Sequence, residues 1–249
     1  VISDCAQAPN AKYKDCFAGT LADIGVFSLN YHKHIHTGEG GILVTNDDDL
    51  ADRMRLIRNH AEAVVGDMGR SDLHNMVGHN YRLGEIECAI GIEQLKKLDG
   101  FIKSRQDAAN RLTRGLTTLD GLQTPITRVN NTHVYYIYPI IINPGLIGVK
   151  KEKIVRALIA EGVPGLISQY IDVHLLPMYQ KKIAYGRKGF PWTIAKREVS
   201  YEKGICPVAE KLNDSQFIGI EMCLHDYSNN DIELIIESFH KVWKNLKNL

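Results

Sequence analysis

No apolar segment of this sequence approaches the roughly 20 residues that a helix needs to cross a bilayer, so no helical membrane span is expected. Nothing at the start reads as a signal peptide, and the chain is expected in the cytoplasm. Cysteine is sparse. Cys5, Cys16, Cys88, Cys206 and Cys223 are scattered, odd in number and free of any CxxC pair, a pattern that suits reduced thiols better than a disulfide framework or a zinc site. An excess of either charge is lacking too: 30 Lys and Arg stand against 29 Asp and Glu, for a formal net charge of +1. Composition therefore makes no electrostatic case for nucleic acid or an anionic membrane surface as partner. P-loop, GxGxxG turn and HExxH pair are all missing, as are internal repeats and low-complexity segments, and no metal is expected. There is no initiator methionine either: Val1-Ile2-Ser3-Asp4 opens in what reads as the last part of a strand, so the sequence is expected to be cut from something longer.

What is present is an ordinary globular composition, 44% hydrophobic and 24% charged, over 249 residues, enough for one large domain or two smaller ones. The stretch Gly25 to Asn46 organises the rest. An apolar run with Ile24, Val26, Phe27 and Leu29 leads into a polar turn holding Lys33, and Gly38, Gly40 and Gly41 lead into a second apolar run from Ile42 to Thr45. This predicts strand, turn, strand. A lysine at the mouth of a buried strand pair loses part of its hydration, which lowers the pKa of the amine. Neutral amines attack carbonyls, and the usual carbonyl awaiting such a lysine is pyridoxal phosphate. Ser28, near the strand end, offers a hydroxyl to a phosphate; its alternative reading is a plain hairpin turn.

Upstream, Val1 and Ile2 read as the end of a buried strand, which puts Asp4 at its carboxyl end, the edge where open α/β sheets collect ligands. There it either pairs with a cationic ring nitrogen or caps the next short helix. Gln7 lies among small residues, where its amide can rest against a flat ring. Residues 9 to 22 read as loop. Asn46 to Asp49 offers an N-cap and an acidic first turn to a helix running to about His60, and residues 61 to 82, with Gly66, Gly69 and Gly78, read as a long functional or interfacial loop. From Leu83 to Leu116, apolar residues at spacings of three and four predict two consecutive helices or one kinked helix, with a phase shift near Gly91 and a weak point at Gly100.

The texture then turns to α+β: a β-rich run from His133 to Ile142, a helix from Lys150 to Glu161, and a last strand from Phe217 to Leu224. Ser228 to Asp231 has capping-box spacing ahead of a terminal helix lined by Ile232, Ile235, Ile236, Phe239, Val242, Trp243 and Leu246. Between them, residues 165 to 207 read as an irregular region whose Tyr170, His174, Tyr179, Trp192 and Tyr201 either recognise a polar ring such as a sugar or peg the loop to the body.

Four motifs in order, Asp4-Cys5-Ala6-Gln7-Ala8, Phe27-Ser28 with Lys33, Thr37-Gly38-Glu39-Gly40-Gly41, and Gly78-His79-Asn80-Tyr81-Arg82-Leu83, resemble the DegT/DnrJ/EryC1/StrS family of pyridoxal-phosphate sugar aminotransferases. The resemblance runs over nearly the whole chain. It implies an α/β fold: the C-terminal part of a fold type I PLP-transferase large domain with a mostly parallel sheet, residues 1–118, followed by a small α+β domain, residues 119–249. It also implies roles. Lys33 matches the lysine of the internal aldimine, Asp4 the partner of the pyridinium nitrogen, Gln7 the residue near the ring and its phenolic oxygen, and Ser28 a phosphate contact. Asn80 matches an asparagine that reaches the cofactor phosphate of the neighbouring subunit, which implies a homodimer. The family's phosphate turn and ring-stacking aromatic fall upstream of Asp4.

The expected activity is transfer of an amino group from glutamate or glutamine to a keto-sugar, most naturally a nucleotide-linked one, with a keto-cyclitol such as an inosose as the nearer alternative. A related branch of sugar dehydratases, using pyridoxamine phosphate, carries histidine in place of the lysine, and His32 and His34 flank Lys33, so dehydration is a second reading. A third is a cofactor-free binding or regulatory subunit that dimerises through residues 61 to 120.

Overall fold

The computed structural model describes residues 1–62 and 76–249, so Gly66, Gly69 and most of the expected loop from 61 to 82 lie outside the described residues. Two compact units are present. The first comprises Val1–Ala109, Ile126–Tyr136 and Met222–Asp226; the second comprises Asn110–Pro125, Ile137–Glu221 and Tyr227–Leu249. Where the sequence suggests a single cut at 118/119, the chain interleaves between the units.

In the first unit, strands β1 (Ile2–Asp4), β2 (Lys12–Tyr13), β3 (Cys16–Phe17), β4 (Ile24–Ser28) and β5 (Gly41–Val44) make a three-stranded sheet of order β1-β4-β5 and a separate hairpin, β2-β3. β1 and β4 are parallel, with Asp4 opposite Val26, so both strands end at the same sheet edge. β5 returns antiparallel, Ser28 opposite Gly41, as a strand joined by a local turn must. Residues 12 to 17, expected as loop, form a tight hairpin because Lys14 and Asp15 take positive φ (48° and 65°), a turn geometry usually signalled by Asn or Gly and hidden here by the sequence. Val1 and Ile2 are 88% and 68% exposed, not buried, since among the described residues β1 is paired on one side only.

Gly25 sits buried in β4, where a Cβ would come within 2.4 Å of the Gly19 carbonyl oxygen. Backbone cannot step aside as a side chain can. Gly25→Ala is expected to destabilise the protein by about 2 kcal/mol or more, read as a lowered urea midpoint at unchanged slope.

Helix α1 (Asp48–Arg58) starts where Asp47 accepts the Leu50 amide at 3.0 Å, with Asp48 and Asp49 in the first turn and Arg55 and Arg58 in the last, matching the helix dipole. Its end pairs with the segment after residue 75: His79 donates to Ile57 O at 2.7 Å and Tyr81 to Arg58 O at 2.9 Å. Helices α2 (Glu85–Leu95) and α3 (Leu98–Leu116) come next, broken at Lys96 and Lys97 rather than at either glycine. Leu29, Ile35, Leu98, Ile102 and Val134 form a core in this unit, so the two ends of the Lys33 turn are anchored by burial.

The second unit is α+β, as expected. A four-stranded sheet runs β6 (Leu122–Gln123), β7 (Ile137–Ile142), β9 (Phe217–Glu221), β8 (Leu166–Ile167), with all pairs antiparallel. Tyr138, Ile140 and Ile142 alternate into its core, where α4 (Lys151–Ala160) supplies Ile154 and Leu158 and α5 (Asn229–Lys244) supplies Ile232, Ile235 and Phe239. The Ser228–Asp231 capping box is formed, with bonds of 2.8 and 3.2 Å. Two expected strands are shorter than their apolar runs. β9 stops at Glu221, and β7 begins at Ile137 because Tyr135 has φ +51° and donates its amide to His133 Nδ1 at 3.0 Å. Among the described residues no helix is long and apolar enough to cross a membrane.

Candidate active site

Lys33 is held by a turn whose polar side chains bond within it. As the chain leaves β4, Ser28 Oγ accepts the Asn30 amide at 3.2 Å, Asn30 Oδ1 accepts the His32 amide at 3.3 Å, and the Lys33 amide donates to Asn30 O at 3.0 Å. The return is closed by Leu29 N to Gly40 O (2.9 Å) and Thr37 N to Leu29 O (3.0 Å). Gly40 takes φ +158° in that return, with little room beside it: a Cβ would lie 3.0 Å from Thr37 Oγ1. With Leu29 and Ile35 buried on either side, the side chain of Lys33 emerges half-buried, its Nζ 4.5 Å from the centre of the Tyr136 ring.

Burial holds the Lys33 amine below the ordinary lysine range, while electrostatic interaction with Cys223 and then with Asp4 pulls it back up. Asp4 thus stands within electrostatic reach of the amine, at the carboxyl end of the strand parallel to β4. Its Oδ1 accepts the Ala6 amide at 3.0 Å, which starts the turn carrying exposed Gln7. That bond closes a turn and caps no helix, since residues 5–11 hold turns only. Ser28 uses its oxygen as an acceptor in the turn, and its proton is a donor for an anion. The fold gathers Asp4, Ser28 and Lys33 at one sheet edge, with Gln7 on the adjoining turn. Asn80 comes from elsewhere: exposed, it forms a bridge with Asn59 at the end of α1.

The flanking histidines are used differently. His34 is 2% exposed, with Nε2 2.8 Å from the Val134 carbonyl, which requires that nitrogen to donate, and Nδ1 buried without a hydrogen-bond partner. Burial foremost, helped by the positive charges of Arg105, Lys33 and His133, pushes its pKa down to about 4 despite the Val134 bond. At neutral pH it is an uncharged core residue. His32 lies with its ring 5.1 Å from Tyr31 and 5.9 Å from Tyr136.

Sequence reading missed Tyr136 and Cys223, which reach the lysine from distant parts of the chain. Tyr136 O accepts the Met222 amide at 3.2 Å, and Arg105 Nε donates to Met222 O at 3.0 Å, which brings both segments beside the hairpin. The only signal was the aromatic density of the run from His133. In the irregular region Tyr179, Trp192 and Tyr201 pack on one another, and Trp192 Nε1 donates to Tyr201 OH at 3.1 Å. His174 Nε2 lies 2.9 Å from buried Glu210. Burial pushes the Glu210 carboxyl upward, but the Gly204 and Cys206 amides and His174 hold it below the usual range. No group of three or more His, Cys, Asp or Glu fit to hold a metal ion occurs among the described residues.

An α/β chain that presents a partly desolvated lysine and a carboxylate at one strand edge has the parts for amine-to-carbonyl chemistry. The chain belongs to the DegT/DnrJ/EryC1/StrS aminotransferase family, whose model matches residues 1–217. It is 33% identical over 180 residues to GDP-perosamine synthase of Caulobacter vibrioides, covering 72% of this chain and 47% of that protein. To a UDP-4-amino-4,6-dideoxy-N-acetyl-beta-L-altrosamine transaminase of Campylobacter jejuni it is 32% identical over 180 residues, covering 72% and 46%. Among solved structures, the aminotransferase from Psychrobacter cryohalolentis superimposes with a TM-score of 0.79 at 25% identity, covering 100% of this chain and 62% of that one. The chain spans about half the length of the curated relatives it matches.

Proposed function

We propose that the protein is a pyridoxal-phosphate-dependent aminotransferase that moves an amino group from glutamate or glutamine to a nucleotide-linked keto-sugar, with Lys33 as its catalytic residue. The observation that carries this reading is the half-buried Lys33 side chain in the turn after β4, with Asp4 at the end of the parallel neighbour strand. The relatives named for GDP- and UDP-linked sugars support the substrate class.

The residues suit the cofactor group by group: an amine for its aldehyde, a carboxylate for its ring nitrogen, a hydroxyl for its phosphate. When bound, the cofactor supplies an aldehyde that takes up an amine and a ring that accepts an electron pair. Lys33 would hold the cofactor through that aldehyde, and its free amine would serve as base and then as acid for a proton, for which a lowered pKa is the tuning required. Asp4 would keep a proton on its ring nitrogen, Gln7 would rest against the ring, and Ser28 would donate to its phosphate. Asn80, exposed on a separate segment, would serve the site of a second copy in a homodimer.

Asp4→Asn removes the charge that holds the ring proton and is expected to slow amino transfer by about 10²-fold or more, the lower end of a positioned proton-transfer group. Transfer of nitrogen from labelled glutamate or glutamine to GDP- and UDP-linked 4-keto sugars, followed by mass spectrometry, checks both the activity and its substrate. A deoxy-keto product without donor nitrogen would instead establish the dehydratase. Failure of pyridoxal phosphate to titrate the protein would leave the cofactor-free binding subunit.

A further inference from the structure

We infer that Tyr136 is the positioning residue of Lys33: the face of its ring seats the charged ammonium at the mouth of the hairpin and gives it up only as the neutral amine. The inference rests on the reading of Lys33 as the cofactor-binding amine and adds a residue to it. The geometry is direct. Nζ lies 4.5 Å from the ring centre, inside the roughly 6 Å over which an aromatic face attracts a cation. The ring is itself held, its backbone oxygen accepting from Met222 N at 3.2 Å and its sides met by His32 at 5.9 Å and His34 at 6.4 Å. Residues 32, 33 and 34 thus converge on one aromatic ring.

A quadrupole attracts the ammonium and is indifferent to the neutral amine, so the ring opposes the burial that discharges Lys33. The other groups facing the amine are Asp4 from β1, Cys223 from the segment after Met222, and the flanking His32 and His34. A seat of this kind gives the protonated amine a fixed place whenever it is detached, and it returns the amine to the reacting position on loss of a proton.

The test reads the amine in cofactor-free protein. Competitive acetylation across a pH series, followed on the Lys33 peptide by mass spectrometry, gives the midpoint of its deprotonation. Tyr136→Phe keeps the face and is expected to keep the wild-type midpoint. Tyr136→Leu loses the face, and the midpoint is expected to fall by about one pH unit. Replacing Tyr136 with 3,4,5-trifluorophenylalanine keeps the shape and weakens the face, and should give a fall of intermediate size. A midpoint common to all four proteins overturns the inference, and so does a fall in the Phe variant as large as in the Leu variant. Should the Leu variant fail to fold by circular dichroism, the Phe and trifluoro pair decides. Since no cofactor is needed, loss of the proposed function leaves this test intact, and a flat midpoint in a protein that binds pyridoxal phosphate sinks only the seat.

Discussion

Lys33→Ala is expected to lose amino transfer by at least about 10²–10⁴-fold, the usual weight of one positioned general acid–base, and to lose covalent attachment of pyridoxal phosphate altogether. The side chain emerges from a turn held by Ser28, Asn30, Thr37 and Gly40, none of which bonds to its amine, so the fold should survive the truncation. Lys33→Arg sharpens the result. Guanidinium keeps a positive charge at the position of the amine yet stays protonated throughout the accessible pH range, so it satisfies electrostatics and fails as nucleophile and base. Both variants should therefore be equally inactive, with Arg the closer to wild type in melting temperature. Wild-type absorbance from bound cofactor, present in neither variant, is the readout. Retention of that absorbance in Lys33→Ala would remove Lys33 from the mechanism, and partial activity in Lys33→Arg would reduce its role to that of a charge.

Those variants probe the part of the site that local pattern revealed. Strand, polar turn and strand are encoded by β-branched runs interrupted by glycines, and Asp47, Ser228 and Asp231 declare their helix starts through spacing alone. Asp4 was legible as a strand-end residue, and Lys33 as the lysine of a polar turn between two apolar runs, in register with the family motifs. Positive φ at Lys14, Asp15 and Tyr135 was not legible, because no glycine marks it; it made a hairpin of an expected loop and shortened an expected strand. Tyr136 was out of reach for another reason. Its approach to Lys33 spans about a hundred residues and depends on Met222 and Arg105 holding two remote segments side by side, which no window along the chain contains. The rings at Tyr179, Trp192 and Tyr201 were visible as a group, but their packing on one another was not. Periodicity is a property of neighbours, whereas a site is a property of the fold.

His34 should make the hairpin acid-labile. Its pKa falls from 6.5 to about 4 on folding, so between those values the unfolded chain takes up the proton first and stability falls as pH falls. The contribution is complete above about pH 6.5, is lost progressively toward pH 4, and amounts to about 3 kcal/mol over the window. Charging the ring would place an imidazolium in the core near the cationic groups of Arg105, Lys33 and His133, and the Val134 hydrogen bond offsets only part of that cost. Carboxylates such as Asp231, held low by its Ser228 bonds, add acid sensitivity of the same sign, so the comparison has to be made against a variant. His34→Gln remains neutral and retains a donor for the Val134 carbonyl. It is expected to be less stable than wild type by about 1–2 kcal/mol near neutrality, where only packing and bond geometry differ, and to close or reverse that gap near pH 4.5. Urea midpoints of the two proteins at both pH values measure this directly; a gap that stays constant would mean that His34 does not resist protonation. Because Leu29, Ile35 and His34 anchor the turn that carries Lys33, cofactor release should begin at a higher pH than global unfolding in wild type and coincide with it in the variant.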